Sequence, residues 1–313
     1  MRKFNLKAKA LKRFMEERET GPSAETVHNS TEELNEMNSQ STPNEQGFVI
    51  AFRTDVGKIR KTNQDAVILG SGLAGIADGM VGHNGGEIAS GELRDSLLRE
   101  AEGQQPDKEV LEQMIQRINY EIWTRQEDDM ALEGMGTTLT LLWPTEKEML
   151  IAQVGDSRAY LFRDGELKQV TADHSMVADM VRKGVLTEEQ AACHPMRNYI
   201  TRAVGTEETI DVDLYSVERK QGDRWLVCSD GLYGLVKKAE LQEMIGDDRP
   251  ENAADRMLRS ALDRGGRDNV SLVLLYDTVG ATGDPYEDTL ERPIEKQPPA
   301  DSLKPEESGE SEA

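Results

Sequence analysis

The chain has 313 residues and a formal net charge of −22, with 37% hydrophobic and 31% charged residues. That length fits one large domain with polar extensions, and the acidic balance argues against nucleic acid, whose phosphate backbone needs a compensating basic surface. The two cysteines, Cys193 and Cys228, stand outside any CxxC, which argues against zinc or thioredoxin-type redox chemistry and reads as buried free thiols in a reducing cytosol.

In chain order, Phe4, Ala8, Leu11 and Met15 recur at helical spacing, with Lys3, Lys7, Lys12 and Arg13 around them. This spacing predicts a short basic amphipathic helix, able to dock on a partner or an anionic membrane surface, or to pack on its own domain. Thr20 to Gln46 is rich in Ser, Thr, Asn and Glu and reads as a polar linker. Strands are expected over 48–53, 66–69 and 73–77, followed by helices over 86–102 and 107–127. Further strands are expected over 137–143 and 148–154, then a hairpin of 158–162 and 166–170 turned by Arg163-Asp164-Gly165. A helix near 175–183 leads into an irregular polar segment that ends near Arg202. Strands over 213–217 and 224–228, helices over 237–245 and 252–263, and a last strand over 270–276 complete the pattern. From about 280 to 313, five prolines among many glutamates predict a tail that buries too little apolar surface to order itself.

Consecutive strands interrupted by helix pairs suggest an α+β fold, an antiparallel β-sandwich covered by helices. The expected organisation is therefore a helix and linker over 1–45, a central domain over 46–279 and an acidic tail over 280–313. The sequence shows neither a run apolar enough to cross a bilayer nor a cleavable leader, so no transmembrane segment and a cytoplasmic location are expected.

Asp65, Asp78, Asp156, Asp230 and Asp268 each fall at or just beyond an expected strand end. Four of them have a small or amide neighbour: Asp78-Gly79, Gly155-Asp156-Ser157, Ser229-Asp230-Gly231 and Asp268-Asn269. One such pair is an ordinary turn dipeptide. Several together imply more, because unpaired carboxylates share a buried site only when cations neutralise them, and oxygen donors suit hard ions such as Mg²⁺ and Mn²⁺. No GxxxxGK[ST] loop is present, so nucleotide binding is not expected.

The run Gly57-Lys-Ile-Arg60-Lys-Thr-Asn-Gln64-Asp65 resembles the first motif of the bacterial PPM, or type 2C, protein phosphatases. Ala77-Asp-Gly-Met-Val-Gly-His83, Gly136-Thr-Thr-Leu-Thr140, Val154-Gly-Asp-Ser-Arg-Ala-Tyr160, His194-Pro-Met-Arg-Asn198 with Arg202-Ala-Val-Gly205, Cys228-Ser-Asp-Gly-Leu232 and Asp268-Asn-Val-Ser271 follow in the family's order. The resemblance implies a four-layer α/β/β/α sandwich and hydrolysis of phosphoserine and phosphothreonine in proteins by a metal-bridging hydroxide. It implies that Asp65, Asp78, Asp230 and Asp268 bind two Mn²⁺ or Mg²⁺ ions. Asp78 would bridge them and the Gly79 carbonyl would complete one shell. Asp156, with Asp230, would hold a third, weaker ion, and Arg60 would grip the substrate phosphate. The implied partners are phosphorylated proteins, substrates of a Ser/Thr kinase, and residues 175–205 would form a flap beside the site. Gln64 replaces the family's usual glutamate, Met80 stands where some members carry histidine, and Gly234 where many carry an acid. Two alternatives are a pseudophosphatase that binds phosphoproteins without turnover and a hydrolase of small phosphoesters.

Overall fold

The computed structural model describes residues 39–40, 43–80, 85–246 and 249–280. The basic helix expected near residues 3–15, His83 and the acidic stretch from 281 onward lie outside the described residues. The strands are β1 (Ser39–Gln40), β2 (Phe48–Asp55), β3 (Asp65–Gly70), β4 (Leu73–Met80), β5 (Gly136–Thr137), β6 (Leu139–Pro144), β7 (Glu148–Val154), β8 (Arg158–Arg163), β9 (Glu166–Gln169), β10 (Asp213–Glu218), β11 (Arg224–Cys228) and β12 (Val270–Asp277). The helices are α1 (Gly86–Ala101), α2 (Lys108–Asp128), α3 (Met176–Arg182), α4 (Glu188–Ala192), α5 (Asp230–Tyr233), α6 (Lys238–Ile245) and α7 (Pro250–Asp263), with a 3₁₀ turn at Met130–Leu132.

One sheet runs β1-β2-β12-β11-β8-β9 and the other β10-β7-β6-β4-β3, with β5 attached to β4. Neighbouring strands pair antiparallel, both where they follow one another in the chain, as β3 and β4 or β6 and β7 do, and where they are far apart, as β2 and β12 are. Three apolar layers separate four structural ones. Phe48, Phe52, Ile76, Ile151, Trp225 and Val273 come from both sheets and fill the space between them. Leu93, Leu97, Ile115 and Ile118 of α1 and α2 pack on the outer face of β3, β4, β6 and β7. Leu241, Ile245, Ala254 and Met257 of α6 and α7 cover β11 and β12. Central strands are therefore buried on both faces, so β6 and β12 are buried at every position and are mostly apolar, with Thr140, Ser271 and Asp277 as the polar exceptions.

Local chemistry explains several boundaries. Asp107 caps α2 by accepting from the N–H groups of Glu109 and Val110 at 2.8 and 3.0 Å. The β8–β9 hairpin turns on Asp164-Gly165, both at positive φ, with Arg163 paired to Glu166. The strand expected over 137–143 is split at Thr138, and β1 falls within the stretch expected to be linker, paired to β2. Residues 175–200 leave the sandwich and return to their starting point. Ser175 bridges Ile200, and the Thr201 N–H donates to the His174 carbonyl at 2.9 Å. Ser175 caps α3, and Thr187 and Gln190 form a capping box on α4.

Candidate metal centre

The five aspartates converge at one end of the sandwich. Asp65 opens β3 and is in register with Asp78 on β4, so both backbones meet at one level of the sheet. Asp156 follows β7 by two residues and Asp230 follows β11 by two, while Asp268 lies two residues before β12. Each carboxylate position is fixed by the backbone around it. The Asp78 N–H donates to Thr138 Oγ1 (3.0 Å) and the Thr138 N–H donates to the Asp78 carbonyl (2.8 Å). This reciprocal pair accounts for the break between β5 and β6. Ser229 Oγ donates to Asp65 Oδ2 at 2.9 Å and accepts from the Ser271 N–H at 3.1 Å, which joins the ends of β3, β11 and β12. Asn269 accepts from the Gln64 N–H (2.9 Å) and donates to the carbonyls of Val56 and Thr62, both at 3.0 Å, which holds the loop carrying Arg60. Arg60 reaches across to Asp268, Nη2 to Oδ2 at 2.8 Å.

Gly79 is required by close approach. A Cβ there would lie 2.2 Å from the Gly86 carbonyl oxygen and 2.6 Å from that of Gln64. Below Asp156, the Tyr233 hydroxyl donates to its carbonyl at 2.9 Å. Arg158 lies 3.7 Å over the Tyr233 ring and pairs with Asp173 at 2.7 Å.

Desolvation and like charge dominate the electrostatics. Burial pushes Asp78 well above the usual carboxylate range, and the charges of Asp65, Asp230, Asp156 and Asp268 push it further. Burial raises Asp65 to about 6, against the hydroxyls of Ser271 and Ser229 that favour its charged form. Asp230 is pushed to about 8 by burial, then by Asp156, Asp268 and Asp65, with Arg60 opposing. Burial and the Asp173 charge raise Asp156 to about 7, while Arg158 opposes. Asp65 Oδ1 is buried with no hydrogen-bond partner among the described residues. A buried acceptor without a donor, surrounded by carboxylates that resist ionising together, is a donor set suited to hard cations. Among the described residues, no three acidic, imidazole or thiolate side chains close into a finished ligand cage; the carboxylates ring a shared region instead.

Asp65, Asp78, Asp156, Asp230 and Asp268 thus come together as the sequence suggested, with Gly79 beside Asp78 and Arg60 at the rim. In the sequence Ser229 and Asn269 stand out only as small or amide neighbours of Asp230 and Asp268, and Thr138 only as part of the Gly136–Thr140 motif, although these groups hold the aspartates in place. Asp173 and His174 gave no signal at all. His174 is buried; its N–H donates to the Gly155 carbonyl (2.8 Å) and its Nδ1 accepts from the Gly155 N–H (3.1 Å). The Asp213 carboxylate sits 3.1 Å from Nε2, so the ring ties the Asp156 turn to the base of the 175–200 excursion.

Residues 59–269 match the family model for protein phosphatase 2C. The serine/threonine phosphatase stp of Listeria innocua is 37% identical over 237 residues, covering 72% of this chain and 94% of that protein. The crystal structure of the Mycobacterium tuberculosis serine/threonine phosphatase PstP/Ppp superposes with a TM-score of 0.70 at 36% identity, covering 74% of this chain and 99% of that one. A structure of the PstP catalytic domain in complex with two manganese ions gives a TM-score of 0.69 at 35% identity, with 74% and 99% coverage.

Proposed function

Because this chain belongs to the protein phosphatase 2C family, and is a metal-dependent protein serine/threonine phosphatase, we propose that Asp65, Asp78, Asp230 and Asp268 hold its two catalytic Mn²⁺ or Mg²⁺ ions. The observation that carries the assignment is the Asp65–Asp78 pair, matched in register and buried, with Asp65 Oδ1 lacking a donor among the described residues. Asp78, pressed by four other carboxylates, is the group best suited to bridge, and the Gly79 carbonyl is at hand to complete a shell. Asp156, whose charge raises Asp230, would share a third ion with it. When bound, such ions supply Lewis acidity toward the phosphoryl group and an acidified water.

The protein's own groups do the rest. Arg60 is exposed enough to turn its planar fork from Asp268 to the phosphate oxygens, which a guanidinium matches with two parallel donors. Asn269 anchors the Arg60 loop, so the fork starts from a fixed base. Thr138 holds the Asp78 backbone and Ser229 the Asp65 carboxylate, so that little reorganisation accompanies substrate binding. Neither cysteine is needed as a nucleophile, and Cys228 is wholly buried.

The substrates are phosphoproteins, and the finer reading is targets of a Ser/Thr kinase in the same cell. The catalytic domain is read as residues 46–279. A cytoplasmic location accords with two free thiols, although Cys193, expected buried, is exposed and only Cys228 is buried, and among the described residues no helix is long and apolar enough to cross a membrane.

The test is phosphate release from a phosphothreonine peptide with Mn²⁺, with EDTA, and in Asp230→Asn. Mn²⁺-dependent release that falls by at least about 100-fold with EDTA or the substitution is expected. Release indifferent to both would remove these carboxylates from the mechanism.

A further inference from the structure

A cavity of about 610 Å³ lies between the 175–200 excursion and the carboxylates, with Asp156, Asp230 and Asp268 on one side and α3 and α4 on the other. Four arginines line it: Arg158, Arg182, Arg197 and Arg267. Two are engaged. Arg158 is bound to Asp173, and Arg182 pairs with Asp179 and donates to the Asp173 carbonyl. Arg197, from the excursion, and Arg267, from the turn that precedes Asp268, are both exposed. Neither guanidinium has an ion-pair or hydrogen-bond partner among the described residues.

Two unneutralised guanidiniums on one cleft are unexpected in a chain of net charge −22, whose surface otherwise repels anions. Asp156, Asp230 and Asp268 are committed to cations in the reading above. Asp173 is paired, which leaves exposed Glu188 as the opposing charge among the lining residues. The balance of free charge at the mouth therefore favours an anion. A guanidinium fork selects planar carboxylate and phosphate oxygens over other anionic groups.

We propose that Arg197 and Arg267 form a subsite for a second anionic group on the substrate, a glutamate or aspartate side chain or another phosphate, within a few residues of the phosphorylated one. The proposal rests on the phosphatase reading and deepens it. Substrates carrying such a flank are drawn into the cleft and held from both walls, so discrimination appears in KM more than in kcat.

The experiment uses the full chain with Mn²⁺ and four phosphothreonine peptides, flanked by neutral residues, glutamates, a second phosphothreonine or lysines. Wild-type protein is expected to favour the glutamate and doubly phosphorylated peptides over the neutral one in kcat/KM, by roughly 5-fold for each arginine engaged. Arg197→Glu and Arg267→Glu are expected to shrink that ratio, and the double substitution to shift preference to the lysine peptide. A larger gain from phosphate than from glutamate would identify clustered phosphorylation as the source of the anion. Equal kcat/KM across the four peptides in wild type, or a preference untouched by charge reversal, would overturn the subsite while leaving the phosphatase reading standing. If no peptide were turned over, that reading would fail. Fluorescence anisotropy of the same labelled peptides would then still decide the subsite, with equal affinities overturning it.

Discussion

Ser229 is buried between Asp65 and the Ser271 backbone, and its hydroxyl donates to Asp65 Oδ2 while accepting from the Ser271 N–H. Removing it frees the carboxylate to rotate and strands the Ser271 N–H. Ser229→Ala is therefore expected to weaken Mn²⁺ binding about 10-fold, as loss of a group that orients a ligand does, and calorimetric titration would measure it. Affinity equal to wild type would reduce Ser229 to a packing residue. Arg60 makes a different case, because its charge and its shape are separable. Arg60→Lys keeps the charge and loses the fork, so kcat/KM is expected to fall about 10-fold with the Mn²⁺ requirement unchanged. Full activity in the lysine variant would mean that charge alone suffices. The aspartates were legible in the sequence because four of the five stand beside a glycine, serine or asparagine at a strand end. The role of Ser229 was not, since a serine that orients a ligand reads like any serine before a turn.

At the scale of elements, the site depends on how tightly α5 seats against the turn before β12. A Cβ on Gly231 would come 1.9 Å from the Asn269 carbonyl oxygen, which is backbone and cannot swing aside. Gly231→Ala must therefore push apart the segments that carry Asp230 and Asp268. A loss of about 1–3 kcal/mol is expected, read as a melting temperature lower by roughly 5 °C, with Mn²⁺ affinity falling in parallel. Unchanged melting would show that α5 can shift without cost. Most elements could be read from the sequence, because β6, β7, β11 and β12 are mostly apolar segments of strand length and α1, α2 and α7 carry a helical stripe. Three features could not. The break at Thr138 is dictated by its bonds to Asp78, a partner 60 residues away. Helix α4 is only five residues long and its capping box lies in a polar stretch. Strand β1 exists through its pairing with β2 rather than through any pattern of its own. Long-range partners decide all three, and local periodicity does not record them.

The whole molecule carries the carboxylate cluster as a stored electrostatic cost, and its sign with pH follows from the shifts. Asp65, Asp156 and Asp230 titrate at about 6, 7 and 8 in the folded protein against 3.8 unfolded, and Asp78 is also raised. Between those values the folded state binds more protons than the unfolded one, so without ions stability falls as pH rises from about 4 to 8. Below about 4 both states are protonated and the penalty vanishes. Asp213 runs the other way. Burial would raise it, but bonds to His174 and Arg202 outweigh that and hold it at about 2. Its contribution is complete above about 4 and is lost only as pH falls toward 2, outside the range in which the cluster titrates. Protein treated with EDTA is therefore expected to melt at least about 5 °C lower at pH 8.5 than at pH 5.5. Mn²⁺ competes with protons for the same oxygens, so its stabilising effect should be larger at the higher pH. Scanning calorimetry at the two pH values, with and without Mn²⁺, reads both differences. A metal-free melting temperature that is flat or rises over this range would mean that the carboxylates ionise without mutual cost, and the cluster would then lack the electrostatic reason for holding cations at all.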